Sequence, residues 1–301
     1  MNAKQRQWAW RLAEKMLAPN IVERLRSLPI RDLGFGYDAY GYEKESAVLG
    51  YCFGHTLYRY YFRCESRGHE RVPSKGPAIL AGNHSGVIPM DAAMVWMDLI
   101  TRPSKPILLR AVVDNFSGFL PWLGTVFWRC GQIVGARRNF EDLLTDKEII
   151  GVFPEGTKGV GKPFRLRYQL QNFNVGFVEL ALRYRAPIIP LAIVGPEEQA
   201  PMLYNIKPIA RMFNFPYFPV TPLFPALGPL GMVPMPVKYF IEYGEPIHVY
   251  EDYGPEIIEE RPGKVQQLAD QVRLAVQDRV DRMVEERTGV FTGGLSVEMG
   301  G

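Results

Sequence analysis

Five short apolar runs set the frame for this chain, at residues 78–81, 107–109, 148–153, 188–194 and 237–243. Each is too short for a buried helix and suits a strand hidden on both faces. Stretches with helical spacing lie between them, at residues 91–97 and 174–184. A closing helix is expected from about Pro262 to Arg287, striped by Val265, Leu268, Val272, Val276, Val280 and Met283. Strands separated by helices predict an α/β fold, with chemistry carried on loops at strand ends.

Ahead of the strands, residues 3–17 place Trp8, Leu12 and Met16 on one side and Lys4, Arg6, Arg11 and Lys15 elsewhere. Pro19-Asn20 breaks that pattern, and Ile21, Leu25 and Leu28 start a second short stripe. The expected division is a helical hairpin over residues 1–50, the main domain over 51–260, and a C-terminal helix with a flexible tail over 261–301. The hairpin stripes can dock on the core, but tryptophan beside basic residues suits a lipid surface nearly as well.

The 301 residues are 47% hydrophobic and 22% charged, enough for a sizeable core. A net charge of +3 gives nucleic acid no footing as a partner. Cys52, Cys64 and Cys130 are too scattered for a disulfide framework or a metal pair, which fits a reducing cytoplasm. The N-terminus lacks the apolar core of a secretory signal. Residues 212–237 carry no charge, but their seven prolines exclude a regular spanning helix.

The stretch GVFPEGTKGVGKP, residues 151–163, can be read in two ways. From Gly156 to Lys162 it spells the G-x-x-x-x-G-K of a nucleotide-binding loop. Pro163 then stands where that motif needs a hydroxyl for magnesium, which disfavours nucleotide hydrolysis. Arg137, Arg138, Lys158, Lys162, Arg165 and Arg167 make the surrounding sequence basic. Such a cluster is either a solvated face or a phosphate cradle. His84 follows a buried strand, between Asn83 and Ser85-Gly86, and precedes Asp91. Asp91 can be a helix cap, or a carboxylate that orients an imidazole acting as a base. No nucleophile elbow is present, and no His or Cys pair has metal-ligand spacing, so no metal is expected.

Four blocks in order resemble one family. Asn83-His-Ser-Gly-Val-Ile-Pro-Met-Asp91, Gly135-Ala-Arg-Arg138, Phe153-Pro-Glu-Gly-Thr157 and Ala186-Pro-Ile-Ile-Pro190 are similar to motifs I to IV of the glycerolipid and lysophospholipid acyltransferases. The closest likeness is to the bacterial branch resembling monoacylglycerol acyltransferases. The resemblance covers about residues 50–250 and implies a mixed sheet flanked by helices. It also implies His84 as general base, Asp91 as its partner, and Arg137 or Arg138 on the acceptor. Glu155, Gly156, Thr157 and Lys158 would contribute to substrate binding, with Pro190 shaping the site. The expected reaction passes a fatty acyl group from acyl-CoA or acyl-ACP, a co-substrate rather than a cofactor, to a lysophospholipid hydroxyl. The first expectation for the acceptor is 1-acylglycerol 3-phosphate; a monoacylglycerol or diacylglycerol is the alternative. From another class, an inactive lipid-binding protein would keep the fold.

The resemblance also implies peripheral attachment to membrane lipids, on the cytoplasmic side. The Trp8/Trp10 helix, residues 116–128 and residues 212–237 are the candidate contacts. Two departures from the family pattern stand out. Six residues separate His84 from Asp91 where four are usual, and Lys158 replaces the usual arginine.

Overall fold

The computed structural model describes residues 1–87, 90–113, 123–212, 215 and 217–296. Nine strands are present among them: β1 (Glu65–Arg67), β2 (Ala78–Gly82), β3 (Leu109–Val113), β4 (Ile133–Val134), β5 (Ile149–Val152), β6 (Ile188–Val194), β7 (Tyr204–Asn205), β8 (Pro219–Val220) and β9 (Phe240–Tyr243). Seven form one sheet in the order β1-β9-β6-β2-β5-β3-β4, and β7 and β8 pair separately. From β6 to β4 the neighbours are parallel, whereas β9 runs antiparallel to β6. The sheet is therefore mixed, flanked by helices, as the resemblance implied.

The centre of the sheet follows from its sequence. β2 and β6 are buried along their whole length, as strands covered on both faces must be. Side chains alternate between faces along a strand. Accordingly Leu80, Leu191 and Ile193 enter one core, together with residues of the helices Lys44–Thr56 and Asp91–Thr101. Ile79, Ala81, Ala192 and Val194 enter the other, under the helices Gly176–Tyr184 and Pro262–Glu286. All six stripe residues of the last helix are buried, and that helix packs on β6.

Three features differ from expectation. Helix Lys44–Thr56 straddles the division placed after residue 50. Gly50 and Gly54 hide its periodicity, because the side chains of Cys130 and Met97 occupy the space a Cβ would need. The N-terminal hairpin exists, as helices Ala3–Met16 and Pro19–Ser27, the first opened by an Asn2–Gln5 capping box. Ile21, Leu25 and Leu28 of the second stripe are buried as expected, but the first helix docks through the small face of Ala9 and Ala13, leaving Trp8 and Met16 in solvent. The described part of the C-terminal tail is tied down. Arg287 bridges Leu295, and Lys238 N–H donates to Val290 O at 2.8 Å.

Among the described residues, no helix is long and apolar enough to cross a membrane. Most of the 116–128 segment lies outside them, as does Pro89 of the first block.

Candidate active site

The site is assembled where β2 and β5 end side by side, with Ala81 opposite Val152. Asn83 fixes the end of β2. Its amide donates to Ile193 O at 2.9 Å and accepts from Ile193 N–H at 2.8 Å, so a buried side chain continues the ladder to β6.

His84 comes next. Its Nδ1 lies 2.8 Å from Asp91 Oδ2, and Asp91 is fully buried at the start of helix Asp91–Thr101. The same carboxylate accepts the Ser85 N–H at 3.0 Å and the Ala92 N–H at 2.8 Å. Asp91 thus ties down the first turn of the helix and orients the imidazole. The longer spacing of the first block does not separate the pair. With Nδ1 donating to Asp91, Nε2 is the nitrogen suited to take a proton. Phe153, just past β5, stacks on the ring at 4.6 Å between centroids.

Glu155 occupies a different place from the one implied. It is buried, with Oε1 accepting the His84 N–H at 2.9 Å and Oε2 the Gln171 N–H at 2.6 Å. Both oxygens brace backbone instead of facing an acceptor. Burial raises its carboxyl above the ordinary glutamate range, and Lys162 works against that rise. Gly156 adopts φ 58° and ψ −148°, a conformation open essentially to glycine alone. At Gly159 a Cβ would stand 2.6 Å from His84 O, so this loop can lie against the histidine only without a side chain.

Lys162 decides the fate of the nucleotide-loop reading. Its ammonium is buried, 2.7 Å from Glu197 Oε1 and donating to Gln169 O at 2.9 Å. The cation that a triphosphate would need is turned into the protein. Thr157 and Lys158 open the short helix Thr157–Val160 and are exposed.

Arg137 and Arg138 begin the helix Arg137–Thr145 beyond β4, three strands from β2 and so about 14 Å across the sheet. Arg137 pairs with Glu141 at 3.2 Å and Glu179 at 3.0 Å, whereas the Arg138 side chain is 90% exposed. Pro190 is buried in β6, opposite Ala81. It falls where the Ile188–Ile247 bridge gives way to the Leu191–Tyr243 pair, so its missing N–H breaks no ladder.

The structure therefore joins His84, Asp91 and Glu155 and leaves the arginines on a separate helix beyond β4. Sequence reasoning gave no role to Phe153, Gln171 or Glu197. Only the proximity of Glu197 to the fourth block hinted at it.

Residues 63–194 match the family described as Acyltransferase. The chain is 41% identical to an uncharacterized protein of Mycobacterium leprae over 79% of this chain and 64% of that one. It thus spans just under two thirds of that relative. A bovine relative named as a DGAT1/2-independent enzyme synthesizing storage lipids is 23% identical over 72% of this chain and 59% of its own. The human 1-acyl-sn-glycerol-3-phosphate acyltransferase alpha is 26% identical over 46% of this chain and 48% of its own. Among solved structures, the 1-acyl-sn-glycerophosphate acyltransferase of Thermotoga maritima shares the fold, with a TM-score of 0.50 and 16% identity over 96% of this chain and 98% of that one.

Proposed function

We propose that the protein, whose residues 63–194 match the acyltransferase family, moves a fatty acyl group from acyl-CoA or acyl-ACP to the hydroxyl of a lysophospholipid, with 1-acylglycerol 3-phosphate as the leading acceptor. The observation that carries this reading is the 2.8 Å contact between His84 and buried Asp91 at the end of a central strand. The acceptor hydroxyl gives its proton to His84 Nε2 as its oxygen attacks the thioester carbonyl. Asp91 stabilises the imidazolium that results. The His84 and Ser85 N–H groups are taken by Glu155 and Asp91, so other backbone N–H groups near the first block would receive the oxyanion. Collapse of the tetrahedral species expels the thiolate, which takes the proton back from the imidazolium. No covalent enzyme intermediate is required.

Exposed Arg138, Lys158, Arg165 and Arg167 lie on segments that follow parallel strands. They supply cations for a phosphorylated headgroup. The enzyme would work peripherally at the cytoplasmic side of a membrane, held by apolar side chains that stand in solvent. Leu227 and Leu230 are 55% and 74% exposed, in a stretch without charges. A neutral glyceride is the second reading. It is favoured by the pairing of Arg137 with two glutamates and by the likeness to the bovine storage-lipid enzyme.

The test offers labelled acyl-CoA and acyl-ACP to wild type and His84→Ala, with a panel of lysophospholipids and neutral glycerides. Product from wild type and a loss of about a hundredfold or more in the folded variant is the expected result. Equal rates would remove His84 as base. Vesicle binding with no product from any pairing would leave a lipid-binding protein instead.

A further inference from the structure

The G-x-x-x-x-G-K stretch keeps a buried lysine whose surroundings the acyl-transfer reading does not use. Around Lys162 four consecutive residues, 168–171, are each pinned to a different side chain. Tyr168 N–H donates to the Glu197 carboxylate, and Gln169 O accepts from Lys162 Nζ at 2.9 Å. Leu170 N–H donates to Gln277 Oε1 at 2.9 Å, and Gln171 N–H donates to Glu155 Oε2 at 2.6 Å. Gln277 Nε2 also donates to Tyr168 O at 2.7 Å. Tyr168 adopts φ 64°, a left-handed conformation that a bulky side chain holds only when its surroundings impose it.

This strap reaches the histidine through Glu155. Lys162 joins it to Glu197, 2.7 Å away, and Glu155 joins it to the His84 N–H. We propose that Lys162 is a positioning residue: by clamping the 168–171 strap between Glu197 and Glu155, it fixes the backbone from which His84 projects. Its catalytic consequence rests on the acyl-transfer reading above; its structural content does not.

Electrostatics give the clamp a signature. The charged groups facing Glu155 are His84 from the end of β2, Lys162 from the motif loop, and Glu197 from beyond β6. Burial pushes both glutamates up, Lys162 pulls both down, and Glu155 raises Glu197. One cation therefore serves two buried carboxylates. Ionised Glu155 accepts both N–H groups on charged oxygens, and protonation puts a donor on one oxygen, so this bracing weakens as pH falls through its raised titration point. Removing the cation should move this point up, and removing the competing Glu197 charge should move it down.

The experiment uses the full chain labelled with ¹⁵N. The His84 and Gln171 amide signals are followed across the acid range in wild type, Lys162→Gln and Glu197→Gln. The glutamine at 162 keeps a donor for Gln169 O and removes the charge. The expected result is a midpoint about one unit higher in Lys162→Gln and a lower one in Glu197→Gln. The acid limb of acyl transfer should move with each, through kcat more than KM, and Lys162→Arg should restore it. Midpoints that stay put, or move in the same direction in both variants, overturn the inference. Failure of both variants to fold does so too, since the pair would then hold the domain and not the histidine. If the midpoints move as stated in a protein that acylates nothing, the acyl-transfer reading falls and the clamp stands. Unmoved midpoints in an active enzyme remove the clamp and leave acyl transfer standing.

Discussion

The ends of β2 and β5 and the segment between β7 and β9 lie close together yet are built on opposite rules. Around His84, charge is buried and satisfied: Asp91 takes three N–H donors, Glu155 takes two, and Lys162 faces Glu197. In residues 212–237 there is no charge to bury, and apolar side chains face outward at Met212, Leu223, Leu227, Leu230 and Val233. The two regions touch through Tyr217, whose hydroxyl donates to Val87 O at 2.7 Å, three residues after His84. Buried polar groups without partners cost about 1–3 kcal/mol each, so the first region tolerates little change. Exposed leucines cost a soluble fold little, and gain only where an apolar phase meets them. On the proposed function, the difference would separate a part that performs chemistry from a part that meets what the chemistry acts on.

The sharpest break is Asp91→Asn. An asparagine keeps the volume but brings an NH2 group against the donors that now converge on the carboxylate. The imidazole loses both its orientation and the charge that stabilises its protonated form. We expect kcat to fall by about a hundredfold to ten-thousandfold, with acceptor KM little changed. Membrane binding should be untouched, and vesicle sedimentation beside steady-state kinetics reads both. If kcat held, Asp91 would be only the cap of its helix.

How far the sequence carried these two regions differs for physical reasons. β2 and β6 were legible because strands buried on both faces must be continuously apolar, and Asn83 to Asp91 because the block falls at such a strand's end. The inward turn of Glu155 was not legible. The string Phe-Pro-Glu-Gly reads the same whether the carboxylate meets a ligand or a backbone N–H. Lys162 was hidden similarly, since its partner Glu197 lies 35 residues on and is brought near only by β6. Helix Lys44–Thr56 escaped because its packing depends on glycines that lower helix propensity. The 212–237 stretch was legible as uncharged and irregular, but which of its side chains point outward depends on turns that no period encodes.

A milder break falls on the second region. Replacing Leu227 and Leu230 together with aspartate should weaken binding to anionic vesicles by about tenfold or more, given about 1.5–3 kcal/mol for each leucine fully removed from water. Both side chains are more than half exposed, so the melting temperature should stay near that of wild type. Turnover of a short-chain, water-soluble acceptor should also hold. Loss of that turnover would mean that the segment shapes the site itself, and the contrast between the regions would dissolve.

The smallest expected effect falls on the helix beyond β4, apart from both regions. Arg138 is the freer of the two block-two arginines, 90% exposed beside a 3.9 Å approach to Asp142. Such an exposed pair contributes about 0–1 kcal/mol, so Arg138→Ala should leave stability unchanged. If its guanidinium meets the phosphate of a lysophospholipid, kcat/KM for that acceptor should fall about tenfold, a loss of one charge-assisted hydrogen bond. A neutral glyceride should lose nothing, and salt should diminish the difference. Arg137 is already held by Glu141 and Glu179, so freeing it with Glu179→Gln should strengthen the phosphorylated acceptor if that arginine is the one in use. Equal losses for both acceptors in Arg138→Ala would place the arginine in the architecture of its helix. The headgroup would then be recognised nearer His84, by the exposed Lys158.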